Sequence, residues 1–307
     1  SGAGVALALV QAVGERLGHP DVWLELTDLA MLGTVADIVP LVGANRALVA
    51  DGLARVRRSP RAGLAALAAV AAVATEAIDA DRVAYSLAPR LNAAGRMADP
   101  DIAVQLLLGN DPAEAETLAH ALDEHNRVRQ AAESDLYDAA FIEAERTFTP
   151  GDRVLVVAGE AWHEGVRGIV ASRLTSRFGV PSLVFCIEDG QAQGSGRSIE
   201  GIDLHAAIAE MAPMLERYGG HAMAVGLALP AASLDAFRRE LGARLASLPA
   251  ADFIARLPID AEVPLDALSR ELASELALLG PFGYGNRRPL LAVRGVFMNS
   301  RKRVGKA

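Results

Sequence analysis

The stretch RYGGHAMAVGLALP, residues 217–230, gives up two side chains immediately before a histidine. Amides of Gly219 and Gly220 free of side-chain bulk, beside the imidazole of His221, form an arrangement that can bind a phosphate through main-chain and ring donors together. A helix C-terminal glycine turn followed by an ordinary histidine has the same spelling. Three other segments carry compatible chemistry. QGSGRSIEG puts Ser195, Arg197 and Ser198 on a glycine-flanked strand end, where a guanidinium between hydroxyls can clamp a phosphate or where the glycines simply make a hairpin. SLAPRLNAAGRM sets Arg90, Asn92 and Arg96 among small residues, so that planar donor forks either meet a ligand or lie on a helix surface. AGEAWHEGVRGIVASRL reads as strand, loop and helix, with Trp162, His163 and Glu164 at the helix entrance, a place suited to an anion. Trp162 either stacks on a base or covers a core edge.

LGTVADIVPLVG contains a single carboxylate, Asp37, in an apolar stretch. It either meets a cation or lies exposed before the helix-breaking Pro40. Taken together, these residues describe a phosphate site without an acyl-transfer nucleophile. GSG at 194–196 lacks the spacing of a nucleophile elbow, and VGKA at 304–307 lacks the earlier glycine of a Walker loop. SGAGVAL has Leu7 where the third glycine of a dinucleotide fingerprint belongs. Cys186 is the only cysteine, which excludes an internal disulfide and a cysteine-cluster zinc site. A metal held by carboxylates and histidines would be a hard ion, Mg²⁺ or Mn²⁺.

Periodicity along the chain gives the helices and strands around these residues. The chain has 307 residues, 51% hydrophobic and 5% aromatic, enough for about two domains of an α/β protein. Its apolar runs are much shorter than the roughly 20 residues of a membrane span, and the N-terminus lacks the basic leader of a signal peptide, so a cytoplasmic protein with no membrane partner is expected. The net charge of −8 argues against a nucleic-acid footprint over the whole surface and leaves local phosphate sites possible. RVRRSPR at 55–61 and the tail from NRRPL to SRKRVGK, which holds both lysines, Lys302 and Lys306, are the densest basic clusters. Helices are expected over about 4–17, from Asp28 to Pro40, and over 44–57, 61–73, 81–95 and 100–108, with VWLEL as a lone strand at a sheet edge. A long helix is expected over 112–147, ended by Pro150 and Gly151. From 152 strands and helices alternate: RVLVVAG, PSLVFCIE, QAQGSGRS and HAMAVGLALP as strands, EGVRGIVASRLTSRFG, DLHAAIAEMAPMLERYG and LDAFRRELGARLASL as helices. A helix DALSRELASELALLG, a turn PFGYGN and a strand PLLAVRGVFM follow.

LTDLAMLGTVADIVPL, APRLNAAGRM, WHEGVRGIVASRL, GSGRSIEGIDL, RYGGHAMAVGLAL and LLGPFGYGN, in this order, resemble the RecJ family of bacterial single-strand-specific exonucleases, within the DHH phosphoesterase superfamily. The resemblance implies the mostly helical C-terminal part of a DHH domain over 1–110 and a connector helix over 111–150. A DHH-associated α/β domain with the Gly-Gly-His motif would occupy 151–250, and the start of an OB-like nucleic-acid-binding region 251–307. It implies 5′ to 3′ degradation of single-stranded DNA to mononucleotides with two Mn²⁺ or Mg²⁺ ions, in DNA repair and recombination, with helicase or single-strand-binding partners. By position in the motifs, Asp37 resembles a metal ligand and His221 the histidine on the scissile phosphate. Arg90, Asn92, Arg197 and Ser198 fall at the family's phosphate or substrate positions, and Arg96, His163, Gly219 and Gly220, read from their own chemistry, complete the candidate phosphate-binding set. His221 is then expected to face Asp37 across a cleft, and the family's Asp-His-His segment to precede residue 1. Arg167, Arg287 and Arg288 depart from the residues usual in the family. The alternatives are a DHH phosphodiesterase of short oligonucleotides and an inactive fragment that binds single strands.

Overall fold

Leucine, valine and alanine at helical spacing dominate the N-terminal region, and in the computed structural model, which describes residues 1–297 and 300, they form helices. These are α1 (Gly2–Arg16), α2 (Thr27–Ala36), α3 (Gly43–Arg58), α4 (Ala62–Val70), α5 (Ala80–Arg82), α6 (Ala88–Met97), α7 (Asp101–Leu108) and α8 (Pro112–Thr147). VWLEL corrects the expectation of a strand: Val22–Leu26 is a 3₁₀ helix. Among the described residues no strand lies alongside to accept its amides, so they bond locally, with Val22 N–H donating to the His19 carbonyl and Leu24 N–H to the Asp21 carbonyl. The sequence also suggests Asp28 as the cap of the helix that Pro40 ends, but α2 starts at Thr27 and Leu26 holds the cap position without a side-chain bond.

Two units form. One comprises Ser1–Asn92, Pro100–Asp123 and the residues from Leu257, the other Ala93–Asp99 and Glu124–Arg256. In the first, α2 is apolar on most of its circumference and correspondingly buried, with Met31, Leu32 and Val35 in the core. Gly52 on α3 lets the two helices approach, since a Cβ there would collide with Met31 and the Thr27 carbonyl. Asp28 is 1% exposed and accepts from Arg61 Nε at 2.8 Å. Removing one partner of a buried pair leaves an uncompensated charge. Arg61→Ala is therefore expected to destabilise this unit by about 3 kcal/mol, the low end of the range because Arg61 is partly solvated. Urea unfolding checks it, with Asp28→Asn in the Arg61→Ala background expected to recover part of the loss.

The second unit is a three-layer α/β/α sandwich. Its sheet has the order β1-β2-β3-β5-β4, from β1 (Leu155–Glu160), β2 (Ser182–Glu188), β3 (Gln191–Arg197), β4 (Arg217–His221) and β5 (Ala224–Pro230). β1 and β2 are parallel and joined by α9 (Arg167–Phe178), which stops at Gly179 in the left-handed region, φ 70°. β2 turns into β3 through Asp189 and Gly190, both with positive φ, as a two-residue hairpin requires. Val156, Leu183, Phe185, Val225 and Leu227 face α10 (Leu204–Ala209) and α11 (Leu234–Ala246). Leu155, Val157 and Val184 face α9 and the second part of α8, which contributes Leu136, Ala140 and Ala144.

RYGGH contradicts its expected helical setting. Helix α10 ends before Pro213, a short 3₁₀ turn covers Ala212–Met214, and Arg217–His221 is an edge strand antiparallel to β5. Beyond Leu257 the first unit gains α12 (Arg270–Ala277) and a two-stranded parallel pair, β6 (Ala261–Glu262) with β7 (Leu291–Ala292). The expected strand over 289–298 is thus short within the described residues, and the basic tail beyond Ser300 lies outside them. Arg287 pairs with Asp260 at 2.8 Å and Arg288 with Asp81 at 3.0 Å, giving both family departures local partners. Among the described residues no helix is long and apolar enough to cross a membrane.

Candidate phosphate-binding site

In the second unit α9 covers β2 and β3, leaving the same face of β5 and β4 open. Residues directly opposite in an antiparallel pair point to one face. Arg197, Ala224 and His221 therefore share a row and a face, across two strand spacings or roughly 10 Å. Ser195, Gly226 and Gly219 form the next row, and Gln193, Ala228 and Arg217 the one after. The middle row has almost no side-chain cover, because a Cβ at Gly219 or Gly226 would meet nothing within 4 Å. It becomes the floor of an open cavity of about 400 Å³ walled by Arg167, Gln193, Arg217 and Tyr218.

Gly220 has a different reason to be glycine. Its φ is 137°, and a Cβ would run into the Ala224 carbonyl oxygen. The backbone thereby crosses close under β5 and delivers His221, exposed, at the end of the strand.

The basic groups converge at the start of α9. His163 Nδ1 accepts from Gly165 N–H at 3.0 Å, and Arg96 donates to the Gly165 carbonyl at 2.8 Å, so both fix the loop entering the helix. Arg197 lies over Gly168, donates to the Gly196 carbonyl at 2.8 Å, and has no carboxylate within ion-pairing distance among the described residues. Its pKa is held below the ordinary value by burial and, less, by the charge of Arg96. Arg167 donates to the Gln193 carbonyl at 2.8 Å, while its Nε is buried without a partner. Guanidinium groups crowded together with unused donors are stabilised by an anion between them.

The sequence-derived candidates separate accordingly. Arg96, His163, Arg197, Gly219, Gly220 and His221 come together in this unit. Ser198 is corrected as a phosphate contact, since it is buried and its hydroxyl donates to the Ile202 carbonyl at 2.7 Å. Trp162 packs at the core edge over Gly159. Arg90 belongs to the other unit and is bound to the buried Asp123 at 2.8 Å and to the Ser86 carbonyl at 2.7 Å. Asn92 is exposed on α6. Arg167, Arg217 and the Gly226 floor were not among the sequence candidates for this site.

Asp37, also in the first unit, is exposed at the end of α2. A carboxylate there opposes the helix dipole. The next residue, Ile38, occupies the left-handed position of a Schellman motif at φ 52°, where glycine is the usual choice. The loop is held by the PFGYGN turn: Leu41 N–H donates to the Tyr284 carbonyl at 2.7 Å. Among the described residues no group of three or more His, Cys, Asp and Glu side chains is placed to hold a metal ion. They do not make up a metal site of their own.

Comparison with known proteins decides the lineage. Residues 151–247 match the DHHA1 domain and residues 259–307 the RecJ OB domain. The single-stranded-DNA-specific exonuclease RecJ of Bacillus subtilis is 37% identical over 99% of this chain, and that of Thermus thermophilus 38% identical over 98%. The chain belongs to the RecJ family. A crystal structure of Thermus thermophilus RecJ with Mg²⁺ superimposes over 95% of the chain with a TM-score of 0.85, and one with Mn²⁺ with a TM-score of 0.86. The chain spans 38% and 43% of the length of those two curated RecJ proteins. Its second unit is where the DHHA1 match falls, so the row of Arg197, Ala224 and His221 lies in the DHHA1 domain of a RecJ protein.

Proposed function

We propose that this chain serves a single-stranded-DNA-specific exonuclease that works 5′ to 3′ and releases mononucleotides by metal-dependent phosphodiester hydrolysis, in DNA repair and recombination. The observation that carries the reading is the row of Arg197 and His221 above a glycine floor, with Arg96 and Arg167 beside it and no nearby carboxylate paired to Arg197. Arg197, Arg167 and Arg96 hold the backbone phosphates. His221 donates to the phosphate under attack, where negative charge grows. Gly219 and Gly226 let the strand lie against the sheet. Residues 1–110 would belong to the DHH domain, where Asp37 would supply one carboxylate to an Mn²⁺ or Mg²⁺ ion that polarises the phosphodiester and activates water. Asn92 is a further strand contact. A cytoplasmic setting, with a helicase or a single-strand-binding protein supplying the strand, fits this role.

The test is release of label from 5′-labelled single-stranded DNA by the chain with Mn²⁺. Mononucleotide release supports the reading, preference for very short oligonucleotides favours an oligonucleotide phosphodiesterase, and binding without release favours a strand-binding role alone. Arg197→Met gives the matching prediction for the site. Because burial disfavours the Arg197 charge, the neutral side chain is expected to leave thermal stability unchanged or higher, while single-strand affinity falls about tenfold and depends less steeply on salt.

A further inference from the structure

A second group of arginines lies at the opposite edge of the same sheet. β1 is four strand spacings from β4, roughly 19 Å. Where β1 begins, the end of α8 and the outer face of α11 enclose a cavity of about 350 Å³, and Arg153, Arg238 and Arg239 all line it. Arg153 stacks over the Phe253 ring at 4.4 Å, which fixes its plane, yet its Nη1 is buried with no hydrogen-bond partner. Arg238 is held by the Val156 carbonyl at 3.3 Å and by Asp235 at 2.8 Å. Arg239 makes no ion pair or hydrogen bond among the described residues. The one acidic side chain in the lining, Asp152, is turned to Thr149, accepting from its N–H at 2.7 Å and its hydroxyl at 2.9 Å. Gly242 keeps the α11 wall open, since a Cβ there would touch nothing within 4 Å.

We propose that this cavity is a second phosphate-binding site, separate from the glycine-floored one. A carboxylate has two oxygens and satisfies one guanidinium fork, whereas a phosphate presents oxygens to several forks at once. The buried, unpartnered Nη1 of Arg153 is costly in the free protein and is the donor that such a group satisfies. The phosphate comes either from a small phosphorylated molecule, whose body the Phe148 and Ala243 side of the cavity would receive, or from the backbone of a bound nucleic acid strand.

The experiment is calorimetric titration of the whole chain with inorganic phosphate, beside mapping of arginine reactivity to phenylglyoxal by mass spectrometry. Phosphate should bind and should protect Arg153 and Arg239. Arg239→Glu should weaken binding about tenfold or more, and His221→Ala should leave this protection in place. Arg153→Lys, which keeps charge and loses the fork, guards against a variant that merely unfolds: its melting temperature should stay close to that of the parent while protection is lost. If an oligothymidylate protects the two arginines and inorganic phosphate does not, the site stands with strand backbone as the source; the reverse pattern makes the source a free phosphate. Protection by neither ligand overturns the proposal. So does phosphate binding that His221→Ala abolishes and Arg239→Glu leaves intact.

Discussion

Replacing His221 with alanine is expected to lower the rate of phosphodiester hydrolysis about 10²- to 10³-fold, as removal of one preorganised donor to a developing charge does elsewhere. Affinity for single-stranded DNA should change by no more than about fivefold, the size of one exposed charge contact. The asymmetry follows from how the site divides its work. Arg197, Arg96 and Arg167 are anchored by carbonyls of the scaffold, and in the proposed function they carry the charge that would hold the ground-state backbone. His221 is the exposed last residue of an edge strand, in the row of Arg197 with only Ala224 between them. A donor so placed gains most when charge on the phosphate rises. Single-turnover degradation of a 5′-labelled oligothymidylate, measured beside anisotropy binding, separates the two effects. Weakened binding with an unchanged single-turnover rate would make His221 a binding residue and remove it from catalysis.

How much of this site could be read from the sequence depends on whether local or distant pairing decides each residue's place. α8 and the alternation of β1, α9 and β2 were legible because each carries its own long, consistent periodicity. Asp189-Gly190 was a readable hairpin signal between β2 and β3. RYGGH was not legible as a strand, because its pairing with β5 comes from residues beyond a turn and the preceding apolar spacing continues a helical pattern across Pro213. Once it is a strand, period two puts Arg217, Gly219 and His221 on one face, and Arg217 becomes visible as part of the cavity wall. The partners of Ser198 and Arg90 were hidden for a related reason. Nothing local shows that the Ser198 hydroxyl closes its own loop onto Ile202, or that Arg90 is bound to Asp123 across 33 residues. The family motifs identified the lineage through these same segments and left their side-chain roles undivided.

The two glycines before the histidine are expected to fail in opposite ways when each is given a methyl group. Gly220→Ala forces a side chain into φ 137° and against the Ala224 carbonyl oxygen, with the Val225 Cα only 2.9 Å from the new atom. Backbone strain and overpacking each cost about 1–3 kcal/mol, so the loss of stability should be roughly 3–5 kcal/mol unless the edge strand detaches from β5. Detachment relieves the strain and carries His221 out of the row of Arg197, so on that course the exonuclease rate should fall about as far as in His221→Ala. Gly219→Ala meets nothing within 4 Å in the free protein and replaces a flexible strand glycine, which makes it neutral or slightly stabilising. Its methyl group instead projects from the floor between Arg167 and Arg217, where the backbone of the bound strand is proposed to lie. Thermal unfolding and single-strand binding measured on both variants should therefore cross: stability lost in Gly220→Ala, affinity lost with stability kept in Gly219→Ala. Equal behaviour of the two would mean that the open floor is a property of the hairpin and has no part in holding the strand.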